Sequence, residues 1–123
     1  MTTSTVAELL SDKARQSTRK GIYSVSPETA VREAVAEMAR HAVSSMLVLD
    51  GEQMVGLITL KELLHGLNTL GDKLLDSRAD AIMKANPPVA RPEDTVDHLR
   101  GLMTELHITH VPVMNGTALA GIL

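Results

Sequence analysis

Between residues 31 and 40 the apolar positions Val31, Ala34, Val35 and Met38 recur at i, i+3, i+4 and i+7, while Arg32, Glu33, Glu37 and Arg40 take the other face. That spacing predicts an amphipathic helix. Val96, Leu99, Met103 and Leu106 predict a second one. Each stretch follows a short extended piece, "IYSVS" or "PPVAR", and each helix is expected to begin near a residue that accepts orphan N–H groups, Thr29 or Asp94. Beyond each helix comes an apolar run, "MLVLD" or "VPVMN", then Asp50-Gly51 or Asn115-Gly116, then "MVGLI" or "LAGIL". Asp-Gly and Asn-Gly between apolar runs predict hairpins closed by type I′ turns, which need positive φ. After the first hairpin, Leu60, Leu63, Leu64 and Leu67 predict a further amphipathic helix that ends near Gly71.

These two series are copies of one unit. Pro27, Glu28 and Val31 recur as Pro92, Glu93 and Val96, and Met38, Val48, Gly51 and Gly56 recur as Met103, Val113, Gly116 and Gly121, all at one offset without a gap. Upstream, "VAELL" at 6–10 corresponds to "ADAIM" at 79–83. A constant register over this length indicates duplication. The expected architecture is α+β, an α/β sandwich built from tandem β-α-β-β-α repeats, the first over residues 1–72 and the second over 73–123. The second copy reaches Leu123 at the end of its hairpin, so it is expected to lack the final helix.

Composition narrows the chemistry. The formal charge of −3 lacks the positive field of a general nucleic-acid binder. The chain has no cysteine, hence no disulfide and no thiolate metal site. No apolar run approaches the length of a membrane span, and the N-terminus lacks a secretory pattern, so a cytoplasmic protein without membrane or nucleic-acid partners is expected. Tyr23 is the only aromatic residue, so a planar ligand has to be held between aliphatic side chains and backbone. His107-Ile-Thr-His110 has the look of a metal pair, but no third ligand follows at suitable spacing, and no metal site is expected. His41, His65 and His98 are scattered and read as surface or helix-end residues. The basic cluster Lys13, Arg15, Arg19 and Lys20 reads as a solvated loop. No nucleophile elbow, glycine-rich phosphate loop or paired-carboxylate site is recognisable, so the protein is not expected to be an enzyme.

The stretches "SVSPETAVREAVAEMARHAVSSMLVLDGEQMVGLITLKEL" and "VARPEDTVDHLRGLMTELHITHVPVMNGTALAGIL", with "DAIM" at 80–83, resemble the cystathionine-β-synthase (CBS) domain, which occurs in tandem pairs. The resemblance implies a paired module, homodimeric in many members, with clefts between copies that hold adenosine-type ligands. It implies a Gly-x-x-Ser/Thr-x-x-Asp motif at the start of the last helix, matched here by Gly56, Thr59 and Glu62, with glutamate in place of the usual aspartate. A helix start offers free N–H groups to a phosphate, and Thr59 adds a hydroxyl; a carboxylate one turn on can accept from ribose hydroxyls. The resemblance further implies that the base rests against Pro88, Val89, Ala90, Thr109, His110, Val111 and Pro112 of the other copy. The mirror-related cleft would use Ile22, Tyr23, Ser24, Ser45 and Met46.

The expected function is therefore a regulatory, energy- or nucleotide-sensing module of a signal-transduction protein, acting as a homodimer and through a separate effector protein. Candidate ligands are AMP, ADP, ATP, NAD and S-adenosylmethionine, with no cofactor required. The alternative is a ligand-free dimerisation scaffold.

Overall fold

The computed structural model describes residues 4–9, 23–116 and 118–123. Two compact units are formed: Ile22–Pro87, and the N-terminal segment Met1–Gly21 together with Pro88–Leu123.

In the first unit the chain runs through β1 (Ser24–Val25), α1 (Val31–His41), β2 (Ser45–Asp50), β3 (Gln53–Thr59), α2 (Leu60–Leu70), a 3₁₀ segment (Gly71–Asp76), α3 (Ala79–Ile82) and β4 (Lys84–Ala85). The sheet order is β1-β2-β3-β4. β1 lies parallel to β2, as a helical crossover requires, and the other pairs are antiparallel. Met38 of α1, Met46 and Val48 of β2, Ile58 of β3 and Ala79 of α3 form the core, flanked by Val25, Leu63, Ile82 and Met83. Leu47 and Leu57, paired across the opposite face of the sheet, are buried too.

In the second unit α4 (Val96–Leu106) precedes the hairpin β5 (Pro112–Asn115) and β6 (Ala118–Ile122). Ala90 bridges to Val113 in parallel. Val111 and Leu123 exchange both backbone hydrogen bonds, at 2.8 and 3.0 Å, and so lengthen the hairpin ladder. Val6, Ala90, Leu99, Val111 and Val113 make the core.

Both helices of the repeat end alike. Ala42 (φ 52°) and His107 (φ 55°) close α1 and α4 in the left-handed region, and the next residue donates back into the helix, Val43 N–H to the Met38 carbonyl and Ile108 N–H to that of Met103, each at 3.0 Å. This six-to-one bond satisfies an orphan carbonyl.

Two expectations are corrected. Thr29 and Asp94 do not cap the helices: α1 starts after Ala30, without a side-chain cap, and α4 after Thr95, whose hydroxyl accepts from the His98 N–H. Instead Thr29 Oγ1 accepts from the Ser26 N–H (3.1 Å) and the Asp94 carboxylate from the Arg91 N–H (2.8 Å), each closing the turn before its helix. The first hairpin is also not type I′. Asp50 pairs with Gln53, leaving Gly51 and Glu52 as the turn, and of these only Gly51 has positive φ (65°), the pattern of type II′. The amphipathic helix expected after the first hairpin is α2, closed at Gly71; of its leucines Leu63 packs on the core of the unit, whereas Leu60, Leu64 and Leu67 are 61, 70 and 56% exposed, and its buried residue is Gly66.

The lead-in segments are exchanged between the copies. Residues 6–9, the start of the first copy, form a helical turn that docks beside the second copy's helix: Val6 N–H donates to the Asp94 carbonyl (2.7 Å), Ala7 N–H to that of Pro92 (2.9 Å), and Val96 N–H to that of Ser4 (3.0 Å). The second copy's lead-in repeats this on the first, with Ala79 N–H to Thr29 (2.7 Å), Asp80 N–H to Pro27 (3.0 Å) and Val31 N–H to Ser77 (2.8 Å). Val6 and Ala79, at matching positions, are both wholly buried.

Candidate ligand-binding site

The start of α2 is built by β3. Gly56 pairs with Val48, and its missing side chain is what lets Met83 lie across the strand: a Cβ there would meet the Met83 Cβ at 3.1 Å and would overlap its Cγ and Sδ. Three residues on, Thr59 ends the strand opposite Ser45 with extended backbone (φ −120°, ψ 177°), and the helix begins at Leu60. Among the described residues Thr59 is the only buried polar one, at 7% exposure.

Its polar groups are satisfied locally. The Lys61 N–H donates to Thr59 Oγ1 at 3.3 Å, and Glu62 Oε1 accepts from both the Thr59 N–H (2.8 Å) and the Thr59 hydroxyl (2.6 Å). This is a capping box, in which threonine and glutamate serve each other's orphan groups. The pair expected to face a ligand thus faces itself. The single hydroxyl proton of Thr59 is committed to Glu62, whereas Glu62 keeps acceptor capacity on its second oxygen. Ribose hydroxyls, as donors, suit that remaining oxygen; a phosphate would need the threonine proton released.

Tyr23, just before β1, Ser24 of β1 and Ser45 and Met46 of β2 are brought together by the parallel pairing, with Leu47 N–H donating to the Tyr23 carbonyl at 3.1 Å. Met46 is wholly buried in the core, so its side chain faces no cleft, while Ser45 is half-buried at the edge. The Tyr23 ring stacks on that of His41, centroids 3.8 Å apart and 11° from parallel, and the His41 Nε2 lies 3.2 Å from Glu37 Oε2. His41, which the sequence pattern leaves as a helix-end residue, therefore occupies one face of the only aromatic ring. Ile22 lies outside the described residues, as does the cluster Lys13, Arg15, Arg19 and Lys20.

The second copy's segments also come together. Ala90 N–H donates to the Pro112 carbonyl (2.9 Å) and the Ala90 carbonyl accepts from Met114 N–H (2.8 Å). The side chains of Ala90, Val111 and Pro112 are buried, and the backbone groups of Ala90 and Val111 are engaged in the ladder. Half-buried Pro88 and His110 and exposed Val89 and Thr109 are the accessible members, with Thr109 Oγ1 and His110 Nδ1 2.9 Å apart.

Beside α2 runs an open groove of about 930 Å³, lined by Lys61, Glu62, His65 and Asn68 of the helix and by Ile82 and Lys84. His65, read from the sequence as a surface or helix-end residue, lies on this groove with Lys61, one turn before it on the same helix, and Asn68, one turn after it, and Lys84 arrives through the β3–β4 pairing. Among the described residues no cluster of three or more histidines and acids could hold a metal, and no helix is long and apolar enough to cross a membrane.

Comparison with known proteins places these features in context. The CBS domain family matches residues 14–69 and 79–123. The inosine-5'-monophosphate dehydrogenase of Korarchaeum cryptofilum is 30% identical over 96 residues, 78% of this chain but 19% of that protein, so the likeness spans less than a fifth of the relative. Among solved structures, a protein with CBS domains from Burkholderia ambifaria MC40-6 superposes with a TM-score of 0.86 at 29% identity, covering 98% of this chain and 87% of its own. CBSX2 in complex with AMP gives 0.70 at 25% identity, over 83% of this chain and 80% of its own.

Proposed function

The chain belongs to the CBS-domain family, and from that premise we propose that it is a regulatory module, not an enzyme, that binds an adenosine-type ligand and passes on its occupancy in the cytoplasm through a homodimer to a separate effector protein. The observation that carries the reading is the start of α2, where Gly56, Thr59 and Glu62 set a hydroxyl, a carboxylate with a spare oxygen and a helix N-terminus within one turn. The AMP held by CBSX2 supports the ligand class. In this reading Glu62 accepts from the ribose hydroxyls and Thr59 donates to a phosphate. The accessible Pro88, Val89, Thr109 and His110 are the candidates for holding the base, and a second site uses Tyr23, Ser24 and Ser45. AMP, ADP, ATP, NAD and S-adenosylmethionine are the candidates.

Titration calorimetry and thermal unfolding with each of the five test it. A ligand at ~100 times its dissociation constant adds about 2.7 kcal/mol of stability. Paired Thr59→Ala and Glu62→Ala changes abolish that gain; undiminished binding in the pair would move the site elsewhere, and no response to any ligand at millimolar concentration would remove the sensor reading.

A ligand-free dimerisation scaffold is favoured by one observation, the exposed Leu60, Leu64 and Leu67 on α2 beside a Thr59–Glu62 pair already satisfied. It expects a Leu64→Glu change to shift sedimentation from dimer to monomer in protein that binds none of the five ligands.

A further inference from the structure

The chain contains three asparagines, Asn68, Asn86 and Asn115, and their surroundings differ in the one respect that governs intramolecular attack on a side-chain amide. That attack comes from the backbone nitrogen of the following residue. Asn86 precedes Pro87, whose nitrogen carries no proton to lose. Asn68 precedes Thr69 inside α2, where the helix holds the backbone N–H in its ladder and a branched Cβ crowds the approach. Asn115 is the last residue of β5, exposed, and followed by Gly116 at the tip of the hairpin. Gly116 has φ 66°, it is exposed, and apart from its chain neighbours no described residue lies within 4 Å of the position its Cβ would take, so no packed side chain covers the turn there. Among the described residues nothing hydrogen-bonds the Asn115 side chain.

We propose that Asn115 is a self-modifying position, converted in the folded protein, without an enzyme, to aspartate and isoaspartate. The Gly116 nitrogen gives up its proton to solvent base and bonds to Asn115 Cγ. The bond from Cγ to the side-chain nitrogen breaks, and that nitrogen leaves as ammonia, closing a succinimide ring. Water then adds to either ring carbonyl: opening on one side restores the chain as aspartate, and on the other routes it through the side-chain carbon as isoaspartate. One water enters, one ammonia departs and no electrons are exchanged. The product adds a negative charge, and the isoaspartate form inserts one carbon into the main chain at the Asn115–Ala118 pair that closes the hairpin. The first copy carries aspartate at the same place: Asp50 precedes Gly51, with φ 65° and the same open surroundings.

The test is peptide mass spectrometry of folded protein aged in mildly alkaline buffer at physiological temperature, with isoaspartyl methyltransferase labelling to read the isoaspartate. The expected result is the amide-to-acid mass gain at Asn115 at least an order of magnitude faster than at Asn68 or Asn86, with methyl label in the same peptide, both abolished by Asn115→Gln. Comparable rates at the three asparagines would overturn the proposal. So would an Asn115 that stays intact in the folded protein and reacts only in denaturant, because the native turn would then be holding the nitrogen away.

Discussion

Replacing Gly56 by alanine tests the packing that sets the start of α2. Glycine in a strand costs roughly 0.5–1 kcal/mol relative to alanine, so on backbone grounds alone the change is stabilising. Against that stands Met83, whose Cβ lies 3.1 Å from the added methyl and whose Cγ and Sδ fall inside contact distance. Met83 packs on the core of its unit and can swing its tip aside, but its Cβ is fixed by the main chain. Forcing a methyl into such a site costs about 1–3 kcal/mol, and because the Met83 Cβ cannot move aside the upper part of that range applies, about 2–3 kcal/mol; less a backbone gain of about 1 kcal/mol, the net loss is about 1–2 kcal/mol. At roughly 4 °C per kcal/mol for a chain of this size, the unfolding midpoint falls by about 4–8 °C. The assay is a double-mutant cycle: Gly56→Ala, Met83→Gly, which removes the fixed Cβ as well as the tip, and the pair, each by urea and thermal unfolding. If Met83 is the obstacle, the alanine at 56 costs little or becomes favourable once Met83 is truncated, a coupling of about 1 kcal/mol or more. An equal loss in both backgrounds, or a neutral Gly56→Ala in the parent, would refute the reasoning.

Thr59→Ala removes the cap of α2 and lowers stability by about 1 kcal/mol, while Thr59→Ser retains most of it; urea midpoints at constant slope decide. Val6→Ala truncates a wholly buried side chain in the second unit and costs about 1–3 kcal/mol, with faster hydrogen exchange in β5 and β6 than in β2 and β3; uniform acceleration would contradict it. Ala42→Gly relieves a left-handed residue at the end of α1 and raises stability by about 0.5–1 kcal/mol by thermal unfolding. Asp76→Ala removes the exposed ion pair with Arg32 and shifts stability by no more than about 0.5 kcal/mol, at low and high salt alike.

The hairpins, the helices and their order were legible because period and turn residues report local geometry, and the constant offset lent each copy's evidence to the other. The leucine stripe of α2 shows where that reasoning ends. Spacing groups Leu60, Leu64 and Leu67 on one side of a helix but does not say whether another element covers them; in the structure the helix lies on Gly66, where a Cβ would sit 2.8 Å from a Leu74 methyl carbon. Thr29 and Asp94 misled for a related reason, since the oxygen that caps a helix closes a turn equally well. In the candidate site, Thr59 and Glu62 were readable as a motif, yet their mutual hydrogen bond depends on a rotamer. The burial of Met46, Val111 and Pro112 followed from strands whose two faces are both covered, a state alternation alone does not distinguish.

The crossed lead-ins have a consequence for how such a molecule can be cut. A polypeptide holding one repeat and its own preceding arm carries a helical turn whose seat lies on the sister repeat, and leaves its own seat empty. Supplied in trans, each arm has to be captured from bulk solution; tethered in one chain it arrives at the millimolar effective concentration of a short linker. Covalent tandem arrangement thus favours closure of both halves, and two separately expressed halves should each stay incomplete until mixed at high concentration.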